Sequence, residues 1–119
     1  MRLNCDCVRD ILLCCEESFN NHTSFLTHEK LVTLLPTYSE SDIISALQSL
    51  DEAGYIVCEF LYGDGTVSSV AINKITFEGM EFLEIIRPKS NWEKFKGFIS
   101  KNAVPSVAKL FELIKIFTN

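Results

Sequence analysis

The chain has 119 residues, 47% of them hydrophobic and 23% charged. That size and balance suit one globular domain with a modest core and exclude a disordered, collagenous or repeat protein. The net charge of −5 is unevenly spread: residues 1–86 hold 4 Lys and Arg against 14 Asp and Glu, whereas residues 87–119 hold 7 against 2, an acidic body followed by a basic tail.

Near the start, Asp6, Arg9 and Asp10 interrupt the apolar residues before a signal-type segment can form. Later, Lys109, Glu112 and Lys115 break the apolar run from Val104 to Phe117, which is too short for a bilayer. The expectation is a cytoplasmic protein with no membrane partner. Five cysteines, four of them before residue 16, read as reduced thiols. His22 and His28 lack ligand spacing, so no metal and no cofactor is expected.

A first helix begins after Asn4, an N-cap, with Asp6 suiting the positive end of the helix dipole. Val8, Ile11, Leu12 and Cys15 form its apolar stripe. Residues 18–26 read as a loop with a short strand near Ser24 to Leu26. Thr27 caps a two-turn helix carrying Leu31, Leu34 and Leu35, which Pro36 ends. Ser39, with Asp42 three residues on, gives a capping pattern, and Tyr38 with Ile43 has the spacing of a hydrophobic staple. A third helix from Ser39 to Ala53 buries Ile43, Ile44, Leu47 and Leu50, and Gly54 stands at its left-handed end.

Beyond Gly54 the period becomes two. Ile56, Cys58, Phe60 and Tyr62 share one side of a strand, Gly63-Asp64-Gly65 turns the chain, and Val67 to Ile72 returns. Thr76 then caps a helix whose expected face is Phe77, Met80, Leu83 and Ile86, and Pro88 stops it. Helix, short strand, helix, helix and hairpin form an α+β class chain with the order of a winged helix-turn-helix. The third helix takes the recognition position. The division expected is a winged-helix domain over residues 1–88 and a helical C-terminal extension over residues 89–119.

In that extension, Ser90 or Asn91 caps a helix whose apolar side is Trp92, Phe95, Phe98 and Ile99. Pro105 fits the first turn of a last helix with a stripe of Val107, Leu110, Phe111, Ile114 and Phe117, widened by Leu113 and Ile116. A stripe that wide needs cover. With a core already assigned to the head, the expectation is a homodimer through Trp92, Phe95, Val107, Leu110, Phe111, Leu113, Ile114 and Phe117; folding back onto the head is the other solution.

Several segments resemble a family of short phage, prophage and Gram-positive bacterial proteins known as domain of unknown function 2513. The opening Leu3-Asn4-Cys5-Asp6-Cys7-Val8-Arg9-Asp10-Ile11-Leu12 is similar to the family's Leu-Asn-Pro-Asp-Cys-x-Arg-Asp-Ile-Leu, with Cys5 replacing the proline. Tyr38 to Ile43, Leu50 to Ile56 and Ile75 to Leu83 resemble three further segments in the same order, with Met80 where the family has His. The resemblance implies a winged helix of phage type, hence a host bacterial cytoplasm, and brings no catalytic residue.

Three functional classes follow. Duplex DNA binding is the default for a winged helix, but phosphate contact and guanine readout favour Arg and Lys. The third helix has neither. A DNA-binding, transcription-regulating dimer would have to use Arg2, Arg9 or the basic residues Arg87, Lys89, Lys94, Lys96 and Lys101. The second class is a protein partner, met through an acidic surface of Glu40, Ser41, Ser45, Gln48, Ser49, Glu52 and Asp64. With a phage origin, such a partner is a host factor or an anti-defence target such as a CRISPR effector. An enzyme is the third class, and no thiol is paired with a base and no phosphate loop precedes a helix; the expectation is a non-enzymatic binding protein.

Overall fold

The computed structural model describes residues 3–99 and 104–118, the last two by their backbone alone. Six helices and a three-stranded antiparallel sheet follow in the order α1 (Cys5–Asn20), β1 (Leu26–Thr27), α2 (His28–Leu34), α3 (Glu40–Glu52), β2 (Ile56–Gly63), β3 (Thr66–Ile75), α4 (Phe77–Ile86), α5 (Lys89–Ile99) and α6 (Val107–Thr118). The α+β class is as expected. No described helix is long and apolar enough to cross a membrane.

Side-chain caps set the helix starts. The side chains of Asn4, Thr27, Ser39 and Thr76 accept the N–H groups of Cys7, Lys30, Asp42 and Gly79, so each occupies an orphan donor of its first turn. α3 lays Ile43, Leu47 and Leu50 on α1, whose Val8, Ile11, Leu12 and Cys15 are buried opposite. Tyr38 ties the entry of α3 to α1, its O–H donating to Asp10 Oδ2 at 2.6 Å.

In the sheet, β3 lies between β1 and β2. The hairpin turn is tighter than expected: Gly63 pairs with Thr66, and only Asp64 and Gly65 have positive φ, 53° and 82°, as a two-residue turn requires. A second expectation is corrected at the hairpin end. Tyr62 does not continue the buried side of Ile56: 67% of it is exposed, as is 65% of Leu61 on the opposite face, so this end of the strand has neither face covered. The first strand is Leu26–Thr27, later than expected, since the partners of its residues are Ile72 and Ala71.

α4 differs from its expected face by its contact with Tyr55. Gly79 is buried against the Tyr55 carbonyl, so Phe82, Leu83 and Ile86 turn inward and Phe77 is 75% exposed. Pro88 separates α4 from α5, which begins at Lys89 rather than after Ser90 or Asn91. The cap of α6 is Ser106, whose Oγ accepts the Lys109 N–H at 3.2 Å, and Pro105 precedes it instead of lying in the first turn.

The largest correction concerns the C-terminal stripe. Trp92, Phe95, Val107, Leu110, Leu113 and Ile114 are buried within the chain, Val107, Leu110 and Ile114 completely. They therefore offer no surface to a second copy. Phe111 is half-buried in an aromatic cluster with Tyr55 and Phe82, ring centroids 5.2 to 5.7 Å apart, and the Phe117 side chain lies outside the described residues. The reason is that α1 leaves part of α3 open, where α6 packs and sets Phe111 against Tyr55 and against Phe82 of α4. One core joins the head and the extension.

Candidate functional site

Three cations of the expected nucleic-acid surface, Arg9, Arg87 and Lys96, are engaged by groups of the chain itself. Arg9 donates to the carbonyls of Ile86 and Arg87 at 2.9 and 2.6 Å and lies over the Trp92 ring, closing the C-terminal end of α4. The Arg87 guanidinium grips both carboxylate oxygens of Glu16 and reaches Glu84 at 2.8 Å. That grip holds the Glu16 carboxyl below its ordinary value. Asp6 accepts the Trp92 indole N–H at 2.9 Å and meets Lys96 Nζ at 3.2 Å. Arg87 and Lys96 are thus each held by carboxylates of the chain, with over a third of either side chain still exposed. Lys89 and Lys94 are exposed, while Arg2 and Lys101 lie outside the described residues.

The residues assigned to the partner surface come together, with one exception. Glu40, Ser41 and Glu52 are exposed on α3, and Ser45, Gln48 and Ser49 are half-buried. Asp64 stands apart at the hairpin tip and lines neither of the two cavities that flank α3. One cavity, about 340 Å³, lies between Glu40, Ser41 and Ile44 of α3 and Thr66 and Val67 of the hairpin. The other, about 190 Å³, lies between Ser49 and Glu52 and the segment Pro105–Ser106, with Leu3 beside them. Ser45 and Gln48 line both. Among the described residues, no cation lines either one.

Backbone bonds hold the second cavity's walls. The Leu3 N–H donates to the Val104 carbonyl at 2.8 Å, and the Val107 N–H donates to Ser49 Oγ at 2.8 Å. Ser49 is thereby occupied in anchoring the returning chain beside α3. These walls were not readable in advance, because the bonded residues are 58 and 101 positions apart in sequence, and no local pattern carries such pairing.

His28 is a second feature that its sequence position did not reveal. It is 2% exposed and is the buried polar residue of the described core. Nδ1 accepts the Val70 N–H at 3.1 Å, and Nε2 lies 3.3 Å from Glu40 Oε2. Glu29 Oε1 also lies 2.9 Å from Nδ1, but that nitrogen cannot donate to Glu29 while accepting from Val70. The backbone N–H is the fixed donor, so the Nε2–H tautomer satisfies Val70 and Glu40 together, and the exposed Glu29 is left to solvent. His28 thus joins β3 to the first turn of α3 at one cavity.

The thiols are poorly suited to attack. Burial pushes Cys7, Cys15 and Cys58 up to about 12, which leaves almost no thiolate at neutral pH. Among the described residues, no group of three His, Cys, Asp or Glu is placed to hold a metal ion.

Comparison with known proteins gives one match. The family described as Hypothetical protein (DUF2513) matches residues 2–105. No curated protein and no solved structure matches the chain.

Proposed function

The chain belongs to the DUF2513 family, and we propose that it is a non-enzymatic winged-helix binding protein whose α3 face docks a basic segment of a protein partner. The observation that carries this reading is the composition of α3 itself, which has four acidic residues and no Lys or Arg, with Glu40 and Glu52 each lining one of the two cavities. Such a face repels phosphate and attracts Lys and Arg, so it steers a basic partner and rejects a polyanion. The dimeric DNA-binding regulator is less well supported. Arg9, Arg87 and Lys96 are engaged by the chain itself, and the stripe meant for dimerisation is core. A protein that itself binds nucleic acid has the basic surface this face suits.

The test is a pull-down with the tagged full-length chain from a nuclease-treated lysate, run beside a Ser41→Lys/Glu52→Lys variant. Both positions are exposed, so the variant should melt as the parent does. The expected result is a protein retained at physiological salt, released as salt is raised, and lost with the variant. Retention that depends on nucleic acid, or that the charge reversal leaves untouched, would overturn the reading.

A further inference from the structure

The pairing of β1 with β3 is short: Leu26 lies opposite Ile72 and Thr27 opposite Ala71. The next rung falls to His28 and Val70, and there a side chain replaces the backbone. The buried Val70 N–H donates to His28 Nδ1 at 3.1 Å. The imidazole therefore finishes the seam between β3 and the start of α2, whose N-cap is Thr27. Nδ1 has a single lone pair for this bond, and has it only while the ring is neutral.

Glu29 Oε1 lies 2.9 Å from the same nitrogen, on a side chain that is 63% exposed, and Glu40 Oε2 lies 3.3 Å from Nε2. The charged groups that meet the ring are thus two carboxylates, one from α2 and one from α3, while β3 meets it with a backbone N–H. The cations of the neighbouring elements are placed elsewhere. Lys30 of α2 lines a cavity with Cys14 and Glu17, Lys74 of β3 lines one with Glu16 and Asn20, and Arg9 of α1 is taken up by the Ile86 and Arg87 carbonyls. α3 has no Lys or Arg, and Asp10 of α1 accepts from Tyr38. A second ring proton would set Nδ1–H against the Val70 N–H, two donors face to face. An acceptor for each N–H of the charged ring is already beside it.

We propose that His28 is a proton-operated latch: the neutral ring holds β3 to the start of α2 through Val70, and the charged ring exchanges Val70 for Glu29 and lets β1 part from β3. The incoming proton binds Nδ1, Nε2–H stays on Glu40, and the Val70 N–H is left without its acceptor. With two backbone-paired residues in β1, the lost rung is a large share of the seam. The latch does not depend on what docks at α3, but it reaches that face, because Glu40 stands in the first turn of α3.

Nitrogen-15 NMR of the full-length protein reads both halves of the exchange. At pH 8 a coupling across the hydrogen bond is expected between the Val70 amide nitrogen and His28 Nδ1, with the ring proton on Nε2. Acidification to pH 5, across the range in which imidazole takes up a proton, is expected to charge the ring, abolish that coupling and shift the Leu26, Thr27 and Val70 amides with one common midpoint. Glu29→Gln keeps an acceptor oxygen without its charge, and is expected to lower that midpoint by about half a pH unit or more. His28→Asn offers Val70 an oxygen that takes up no proton, and is expected to leave the same amides insensitive to pH; should that variant not fold, the parent and Glu29→Gln decide the matter between them. A ring that charges while the Val70 coupling persists would overturn the latch. So would a ring that stays neutral to pH 5, or a midpoint that Glu29→Gln leaves unmoved.

Discussion

Raising the pH from 8 to 11 under reducing conditions is expected to unfold the protein cooperatively. Burial holds the Cys7, Cys15 and Cys58 thiols up to about 12, against an ordinary value of 9.0. In the unfolded chain the same thiols ionise near the ordinary value, so the unfolded state binds fewer protons between the two. Stability is therefore complete below about pH 9 and falls as pH rises towards 12, by up to about 4 kcal/mol per pH unit for three groups together, less where water screens half-buried Cys58. A domain near the low end of the roughly 5–15 kcal/mol typical of small domains then reaches its midpoint near pH 10 to 11. Tyr38 acts in the same direction, raised by burial and by its bond to Asp10. Circular dichroism against pH measures the loss, and Cys58→Val should move the midpoint upward. A denaturation midpoint in urea that does not fall between pH 9 and 11 would show that these thiols are hydrated.

Gly79→Ala is expected to lower stability by about 3 kcal/mol or more, a fall in Tm on the order of 10 °C. In an exposed helix the same change gains about 1 kcal/mol, because alanine is the better helix former. Here the sign reverses. A Cβ at position 79 would lie 2.0 Å from the Tyr55 carbonyl oxygen and 2.8 Å from Ile75 Cγ2. The Tyr55 carbonyl also accepts the Thr76 N–H at 3.0 Å, so neither side can yield without loss. Moving α4 aside would part Phe82 from Tyr55 and Phe111 and loosen the seat of α6. A melt unchanged or raised by the substitution would contradict this packing.

The parts of the fold that were legible in the sequence rest on short-range chemistry. Asn4, Thr27, Ser39 and Thr76 were recognisable as caps because a cap needs only a side-chain oxygen and the next three residues. The Asp64-Gly65 turn is local in the same way. Period alone shows that a helix has an apolar stripe and not what covers it, which is why the stripe of Val107, Leu110 and Ile114 suggested a second copy. Phe82 was missed for a related reason: Gly79 meets the Tyr55 carbonyl, a tertiary contact that rotates the inward face of α4. The α3 residues of the candidate site were legible as exposed positions, but Thr66, Leu3 and Pro105 were not, since they reach the site only through tertiary packing. Segment charge gave a basic tail without saying that Asp6 and Glu16 hold Lys96 and Arg87.

The central claim is that the α3 face selects against nucleic acid, and the most direct measurement is fluorescence anisotropy of a labelled random-sequence duplex titrated with the full-length chain at 50 and 150 mM salt. α3 carries no Lys or Arg, so that face has no cation to release counterions from the duplex. The expected result is no binding at either salt concentration up to tens of micromolar protein. Tight binding that weakens steeply between the two, removed by changing Lys89 and Lys94 to Ala, would contradict the account and make the basic segment, not α3, the working surface.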